Sequence, residues 1–200
     1  WNIALGKIDI KASVDTKKIF YTSLYHTMFA PSIFNDANGD YRGTDKKVYK
    51  NAGFVNYTTF SLWDTYRALH PLYTITQEDK INDIIKTFLA IYQQQGRLPV
   101  WHLMGNETDC MNGNHSIPVI VDAYFKGYRN YDVALAYEAI KKTAMQTRAG
   151  MDYVQKIQYI PADSQLESVA NAMEYAIDDW CIAKMAKDLN KMDDYAYFTR

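Results

Sequence analysis

The sequence predicts an all-α fold that forms roughly half of an (α/α)6 toroid of helical hairpins. Apolar residues recur at spacings of three and four in six or seven segments separated by short turns. Almost nothing alternates like a strand; residues 8–10 are the one short candidate. Polar motifs fall in alternate loops, which is typical of stacked antiparallel helix pairs. Six or seven helices are too few to close two rings of six, so residues 1–200 are expected to form part of one barrel domain.

The first two predicted helices end at prolines. The first covers Val14–Ala30, where an apolar stripe runs up to Pro31. The second covers about Thr58–Leu69 and is expected to stop before the His70-Pro71 pair.

The third predicted helix has the clearest signals. Thr76 and Asp79 have the spacing of a capping box, apolar residues then repeat at three and four, and Gly96 is expected to end the helix. A later capping box is expected at Ser164 and Glu167. A fourth helix is predicted after Ser116-Ile117-Pro118, running to about Lys126. Further helices are predicted at residues 133–148 and 164–189, with a seventh from about residue 193.

Composition excludes some functions and leaves others open. The net charge is −1, so nothing favours binding to nucleic acid, and no apolar run approaches the roughly 20 residues of a membrane span. Cys110 and Cys181 lack partners at zinc-ligand spacing and form no disulfide framework. The 17 Tyr, 8 Phe and 4 Trp suit a sugar or peptide cleft, but they equally suit a large helical core.

Residues 36–45, DANGDYRGTD, open with the spacing of a calcium-hand loop. That pattern then requires Gly and Glu where this chain has Tyr41 and Lys47, so the match fails. Two interpretations remain: a turn stabilised by Asx side chains, or a polar loop that places Asp40 or Asp45 in a cleft.

Residues 60–67, FSLWDTYR, place Trp63 and Arg67 on one helical face, with Asp64 and Arg67 able to pair. The segment could form a surface salt bridge beside a buried Trp. Alternatively, Asp64 and Arg67 could face ligand hydroxyls with Trp63 as a platform.

The loop WHLMGNETDCMNGNH, residues 101–115, holds the main catalytic candidate. Glu107 lies near Trp101 and two histidines, and apolar surroundings disfavour a charged carboxyl, which suits proton donation near neutral pH. A plain loop carboxylate is the alternative. His102 and His115 share no helical face, so they make only a weak case for a metal site.

Glu174 and Asp178 are spaced i, i+4 on the last long helix. Like charges at this spacing repel unless they are solvated or used. A solvated face is the default expectation, and a carboxylate pair lining a cleft is the alternative.

Five blocks in order resemble the catalytic domain of glycoside hydrolase family 92, the calcium-dependent exo-acting α-mannosidases. The ordered combination of WDTYR, LPxW and GNETxxM is the specific part of this resemblance. The blocks are FYTSLYHTMFAPS (20–32), DANGDYRGTD (36–45), YTTFSLWDTYRALHPL (57–72), GRLPVWHLMGNETDCMNGNHSIPVIVDAYFKG (96–127) and LESVANAMEYAIDDWCIAKMAKDL (166–189).

The resemblance implies a toroid preceded by a β-sandwich domain, so that sandwich and the C-terminal half of the barrel are expected outside this chain. It implies that Glu107 is the general acid of an inverting, α-1,2-type exo-mannosidase, with the linkage left open. The base and the calcium ligands are expected in motifs further along the parent protein, which would leave these residues inactive alone. The expected substrate contacts are Trp63, Asp64, Arg67, Asp45, Trp101 and His115.

The resemblance also implies a mannose-containing oligosaccharide or N-glycan as substrate, and a periplasmic, cell-surface or secreted location in a bacterium. The oligomeric state stays open. Two alternatives remain: another helical-toroid glycosidase of the trehalase or glucosidase kind, which would need no calcium, or a non-catalytic carbohydrate-binding or scaffolding helical module. The module would keep its sugar affinity without Glu107.

Overall fold

The computed structural model describes the whole chain, Trp1–Arg200. About half of the residues are helical, so the chain is mainly helical, and small sheets that the sequence did not predict lie among the helices. None of the helices combines the length and apolarity that a bilayer crossing requires. The helices are α1 Asn2–Leu5, α2 Val14–His26, α3 Leu62–Thr65, α4 Leu69–Thr76, α5 Glu78–Gln95, α6 Ser116–Phe125, α7 Val133–Ala144, α8 Met151–Ile157, α9 Ser168–Asp188 and α10 Met192–Phe198. The strands are β1 Ser32–Ile33, β2 Tyr41–Arg42, β3 Val48–Tyr49, β4 Tyr57–Thr58, β5 Phe60–Ser61, β6 Trp101–Leu103 and β7 Asn106–Glu107.

Helix α5 follows its apolar pattern closely and ends where predicted. Gly96 takes the left-handed conformation at φ 81°, and its N–H donates to the Tyr92 carbonyl at 2.7 Å. The capping box predicted for its start is wrong. The Thr76 hydroxyl donates instead to the Leu72 carbonyl of α4, and Gln77 precedes α5 without a side-chain cap.

The helix predicted over residues 58–69 is wrong in most of its length. Its first residues form β4 and β5, separated by Thr59 at φ 65°, and only the four residues of α3 are helical before α4. Helix α4 then includes Pro71, the supposed stop signal. Proline is tolerated there because the first-turn N–H groups of a helix have no intrahelical acceptor.

Two further expectations also fail. Residues 8–10 form no strand. The capping box expected at Ser164 does not form, because Glu167 stands in the left-handed conformation at φ 55° and α9 begins only at Ser168. Helix α8, which the sequence did not predict separately, lies between α7 and α9.

The core is a cluster of 28 buried residues from α5, α6, α7 and α9, with contributions from β4, β5 and α10. Helix α9 packs against α6, α7 and α10 and so lies at the centre of the helical layer. Its C-terminal half supplies fully buried apolar side chains such as Ile182 and Met185. Its earlier turns face the residues around α3 with polar groups instead.

Small sheets hold the loops beside this helical layer. Strands β5, β6 and β7 form an antiparallel sheet in which His102 pairs with Phe60 on one side and Glu107 on the other. Strands β2 and β3 form a separate hairpin. The β2–β3 hairpin contacts the hairpin formed by β6 and β7. Thr44 Oγ1 lies 3.0 Å from His102 Nε2, and Lys46 Nζ donates to the Gly105 carbonyl at 2.9 Å.

Candidate functional site

The Glu174 carboxylate of α9 binds three side chains from the α3 segment, which comprises helix α3 and the turn after it, residues 62–67. Trp63 Nε1 and Arg67 Nη2 donate to Oε1 at 3.0 and 2.6 Å, and the Tyr66 hydroxyl donates to Oε2 at 3.0 Å. Trp63 and Arg67 therefore share a face, as their spacing predicts. Arg67 does not pair with Asp64, which is exposed and accepts a hydrogen bond from the Ser61 hydroxyl.

His115 lies between the two carboxylates of α9. Its Nε2 is 3.2 Å from Glu174 Oε2 and its Nδ1 is 3.3 Å from Asp178 Oδ1. The ring stacks on Tyr66 with centroids 4.0 Å apart. Glu174, Asp178 and His115 are all buried, so the solvated face expected at Glu174 and Asp178 is wrong.

Burial raises the pKa values of two of these side chains, Asp178 and Tyr66. Burial raises the pKa of Asp178 although His115 and the Asn114 N–H, 2.8 Å from Oδ2, act to lower it. Burial, followed by the hydrogen bond to Glu174, raises the pKa of Tyr66 to about 12, so its hydroxyl stays a donor at neutral pH. Glu174 is therefore held by three side-chain donors, whereas Asp178 Oδ1 is buried without a hydrogen-bond donor and has the His115 ring beside it.

Part of this constellation faces solvent. The Arg67 side chain is 55% exposed, and its contact with Glu174 uses one of the five N–H donors of a guanidinium group. Trp63 is half-buried and Asp64 is exposed. An aromatic face beside unused charged donors and acceptors is suited to a polyhydroxylated ligand.

Glu107 lies in the β6–β7 hairpin, where its carboxylate holds the base of the hairpin. The N–H groups of Val100 and Trp101 each donate to it at 2.8 Å, and the Asp109 N–H donates at 3.0 Å. The turn at Met104 and Gly105 has φ values of 47° and 73°, which suit a two-residue hairpin. Half-buried Trp101 is thereby fixed beside Glu107, and no hydrogen bond or ion pair joins Glu107 to Glu174.

Asp45 is also bound by its own loop. It accepts from the Lys47 N–H at 3.1 Å and the Tyr49 hydroxyl at 3.0 Å, and Lys47 Nζ lies 3.2 Å away. Burial opposes its charge, but these partners outweigh burial and lower the pKa of Asp45. Asp40 in the same loop binds Lys50 Nζ at 2.7 Å, which lowers its pKa.

Asp109, two residues after Glu107, binds two arginines that the sequence did not single out. Arg97 donates through both terminal nitrogens at 2.5 and 2.6 Å, and Arg148 donates at 2.7 Å. Burial opposes the charge, but the two guanidinium groups outweigh it and lower the pKa of Asp109. This clamp ties the 101–115 loop to the segments before it and after α7.

Two cavities lie beside these groups. One of about 390 Å³ lies between α8, α9 and α10, and Asp178 is in its wall together with Asp179, whose pKa burial and the neighbouring Asp178 raise to about 7. Another of about 360 Å³ is lined by polar residues that include Asp109 and Asn171. Glu107, Trp63 and Arg67 line neither cavity. Of the predicted contact residues, only His115 is buried, at 1% exposure.

No group of three or more His, Cys, Asp or Glu side chains in the chain is placed to hold a metal ion. His102 is buried, and burial lowers its pKa to about 4, so it is neutral at pH 7 and hydrogen-bonds Thr44. Both cysteines are free thiols. The donor set present therefore does not fit calcium.

The family model of the glycosyl hydrolase family 92 catalytic domain matches residues 1–200. The chain belongs to this family. A family GH92 α-mannosidase from Bacteroides thetaiotaomicron is 46% identical with a TM-score of 0.96, over 99% of this chain and 27% of that protein. A family GH92 inverting mannosidase from Bacteroides thetaiotaomicron VPI-5482 is 32% identical with a TM-score of 0.89, over 99% of this chain and 28% of that protein.

An uncharacterized secreted glycosidase from Arthroderma benhamiae is 26% identical over 220 residues, covering 100% of this chain and 24% of that protein. The chain thus spans about a quarter of the length of the family relatives it matches. The α-mannosidase from Bacteroides thetaiotaomicron also has a solved complex with mannoimidazole, at 46% identity and a TM-score of 0.95.

Proposed function

We propose that the protein containing this chain is an exo-acting glycosidase that removes terminal α-linked mannose. The family match over all 200 residues, together with 46% identity to an α-mannosidase, carries this proposal. The mannoimidazole complex of that relative supports a mannose-containing glycan as the substrate class. The exposed donors of Arg67 beside the Trp63 ring supply a surface suited to sugar hydroxyls.

Inversion is proposed for the same protein, because one relative is an inverting mannosidase. An inverting glycosidase needs an acid and a base about 6.5–9.5 Å apart, with a water between the base and the sugar. Proton donation by Glu107 stays a prediction from the resemblance. Three backbone N–H groups donate to its oxygens, two to Oε1 and one to Oε2, which leaves Oε2 a lone pair for a proton.

Calcium dependence also stays a proposal. The ligands are proposed to lie in parts of the parent protein outside these residues, because residues 1–200 hold no cluster of three or more His, Cys, Asp or Glu side chains placed for a metal ion. Removal of calcium from the full-length enzyme with a chelator, followed by its restoration, tests this proposal. Full activity without the ion would favour another toroid glycosidase.

The (α/α)6 toroid is proposed for the complete catalytic domain. Helix α9 carries a stripe of exposed apolar side chains spaced by three and four residues, including Val169 at 75%, Met173 at 67% and Trp180 at 60% exposure. Such a stripe is typical of a helix that packs against further elements. Action outside the cell is proposed as well, because the Arthroderma relative is a secreted glycosidase.

The deciding experiment measures mannose release from α-1,2-, α-1,3- and α-1,4-linked mannobiose by the full-length parent with calcium present. We expect release from at least one of these linkages. Binding of mannoimidazole without release from any of them would favour the carbohydrate-binding module, and neither binding nor release would refute both.

A further inference from the structure

The buried face of α9 places two carboxylates where their charges must be compensated. Glu174 is 8% exposed and Asp178 is 1% exposed, one turn apart. Carboxylates at this spacing repel, and each loses its hydration on burial. The structure compensates Glu174 with donors from the α3 segment, whereas Asp178 contacts none of those side chains.

His115 is the connection between them. Its Nε2 lies 3.2 Å from Glu174 Oε2 and its Nδ1 lies 3.3 Å from Asp178 Oδ1, so the ring fills the space between the two carboxylates. The ring is 1% exposed, stacks on Tyr66, and fits because Gly113 has no side chain: a Cβ there would overlap His115 Nε2. The pocket for this ring is therefore shaped by its neighbours on both sides.

The polar face of the α3 segment is oriented by this connection. Helix α3 has only four residues and no side-chain cap, so its own hydrogen bonds fix it weakly. Leu62 anchors it in the core, and its polar attachments to the helical layer are the bonds of Trp63, Tyr66 and Arg67 to Glu174. Any shift of the Glu174 carboxylate would move the Trp63 ring and the Arg67 guanidinium together.

We propose that His115 and Asp178 are positioning residues that fix the Glu174 carboxylate and, through it, the sugar-facing Trp63 and Arg67. Asp178 orients the imidazole, the imidazole orients Glu174, and Glu174 orients the α3 segment. This inference rests on the proposed function, since Trp63 and Arg67 are taken to contact the glycan. Neither His115 nor Asp178 need touch the substrate.

A double-mutant cycle in the full-length enzyme tests the proposal. kcat and KM for α-mannobiose are measured for wild type, Asp178→Asn, Arg67→Gln and the double variant. We expect Asp178→Asn to raise KM about tenfold with kcat within about threefold, because binding contacts are misplaced while the chemistry is not. The double variant should raise KM by clearly less than the product of the two single effects, because part of the effect of Asp178 passes through Arg67.

Asp188→Asn is the matched control. It makes the same chemical change on the same helix, where Asp188 accepts the Tyr124 hydroxyl at 2.6 Å, and it should leave KM unchanged. Additive effects of Asp178→Asn and Arg67→Gln, or an unchanged KM for Asp178→Asn, would overturn the proposal. If Asp178→Asn does not fold, His115→Gln takes its place, and failure of both to fold would show that the network serves folding alone.

Wild-type hydrolysis separates this inference from the proposed function. If wild type hydrolyses mannobiose but the cycle is additive, the positioning role fails and the proposed function stands. If wild type binds mannoimidazole without hydrolysing any mannobiose, the same cycle is run on Kd, with the same expected pattern. If wild type neither binds mannoimidazole nor hydrolyses mannobiose, the proposed function and the positioning role are both refuted.

Discussion

Glu107 and Glu174 are both held by three hydrogen-bond donors, but the donors come from different distances along the chain. Those of Glu107 are backbone N–H groups between two and seven residues away, within one hairpin. Those of Glu174 are side chains 107 to 111 residues away. Glu107 therefore stabilises one loop, whereas Glu174 joins two parts of the domain. A carboxylate's partners thus indicate whether it shapes a local turn or positions a distant segment.

The largest expected effect is on Glu107. If Glu107 is the general acid, Glu107→Gln lowers kcat/KM for α-mannobiose by about a hundredfold or more in the full-length enzyme. A dinitrophenyl α-mannoside, whose leaving group needs no proton, should then be cleaved at nearly the wild-type rate. A steady-state comparison of the two substrates measures this directly.

The same variant can also show that Glu107 only holds the hairpin. In that case, both substrates lose rate by the same factor and the thermal midpoint falls, because Gln offers one carbonyl oxygen to three N–H donors. Asp45→Asn is a matched control, since Asp45 accepts local donors in the neighbouring hairpin. An Asp45→Asn variant with the same selective loss on mannobiose would contradict the specific role of Glu107.

The hairpin region should also respond to pH through His102. Burial lowers the pKa of His102 to about 4 from 6.5, so the unfolded chain binds the extra proton between these values. Stability from neutral His102 is present above pH 6.5 and is lost as pH falls towards 4, by roughly 3 kcal/mol. Thermal midpoints of the full-length protein should therefore fall less steeply for His102→Gln than for wild type between pH 6.5 and 4.5.

His70 provides the comparison in the helical region, since burial lowers its pKa to about 4 as well. We expect His70→Gln to reduce the slope similarly. The pKa of Asp179 is raised to about 7, so the stability that protonated Asp179 gives the protein is lost as pH rises through the same window. The informative quantity is therefore the difference in slope between each variant and wild type. Equal slopes for wild type and both variants would contradict burial as the cause.

A smaller effect is expected at the Glu174 junction. Tyr66→Phe removes one of its three donors and keeps the ring stacked on His115. The cost should be about 1 kcal/mol of stability, with a two- to threefold rise in KM. Unchanged kinetics and stability would show that Trp63 and Arg67 alone hold Glu174.

The smallest effect on stability is expected at Asp64, which is exposed and forms no hydrogen bond with α9. Asp64→Asn should change the thermal midpoint by less than about 1 °C, because surface substitutions are usually within ±0.5 kcal/mol. If Asp64 contacts the glycan, KM still rises, by about fivefold. An unchanged KM would remove Asp64 from the predicted substrate contacts.

Local signals in the sequence predicted the parts of the molecule that depend on near neighbours. The apolar period and Gly96 locate α5 correctly, and the i, i+4 spacing puts Trp63 and Arg67 on one face. The helix prediction is wrong at residues 58–61 because strand pairing with β1 and β6 overrides their local pattern. Those pairings join segments that are far apart in the chain.

The candidate site shows the same limit. Glu107 could be singled out from its neighbours, but nothing in the sequence shows that backbone N–H groups occupy its oxygens. The burial of Glu174 and Asp178 could not be predicted either, because it depends on His115 and the α3 segment. Likewise, Arg97 and Arg148 both bind Asp109, but one lies 12 residues before it and the other 39 residues after it. No local spacing in the sequence identifies such a pair.

The one-turn separation of Glu174 and Asp178 limits where the sequence can accept insertions or deletions. Each residue added to a helix rotates everything beyond it by about 100° and shifts it by about 1.5 Å. A single insertion between these carboxylates would turn Asp178 away from His115, while an insertion in the exposed loop before Ser168 would leave their relation intact. Natural length variation within the family should therefore accumulate before α9 and be absent between Glu174 and Asp178.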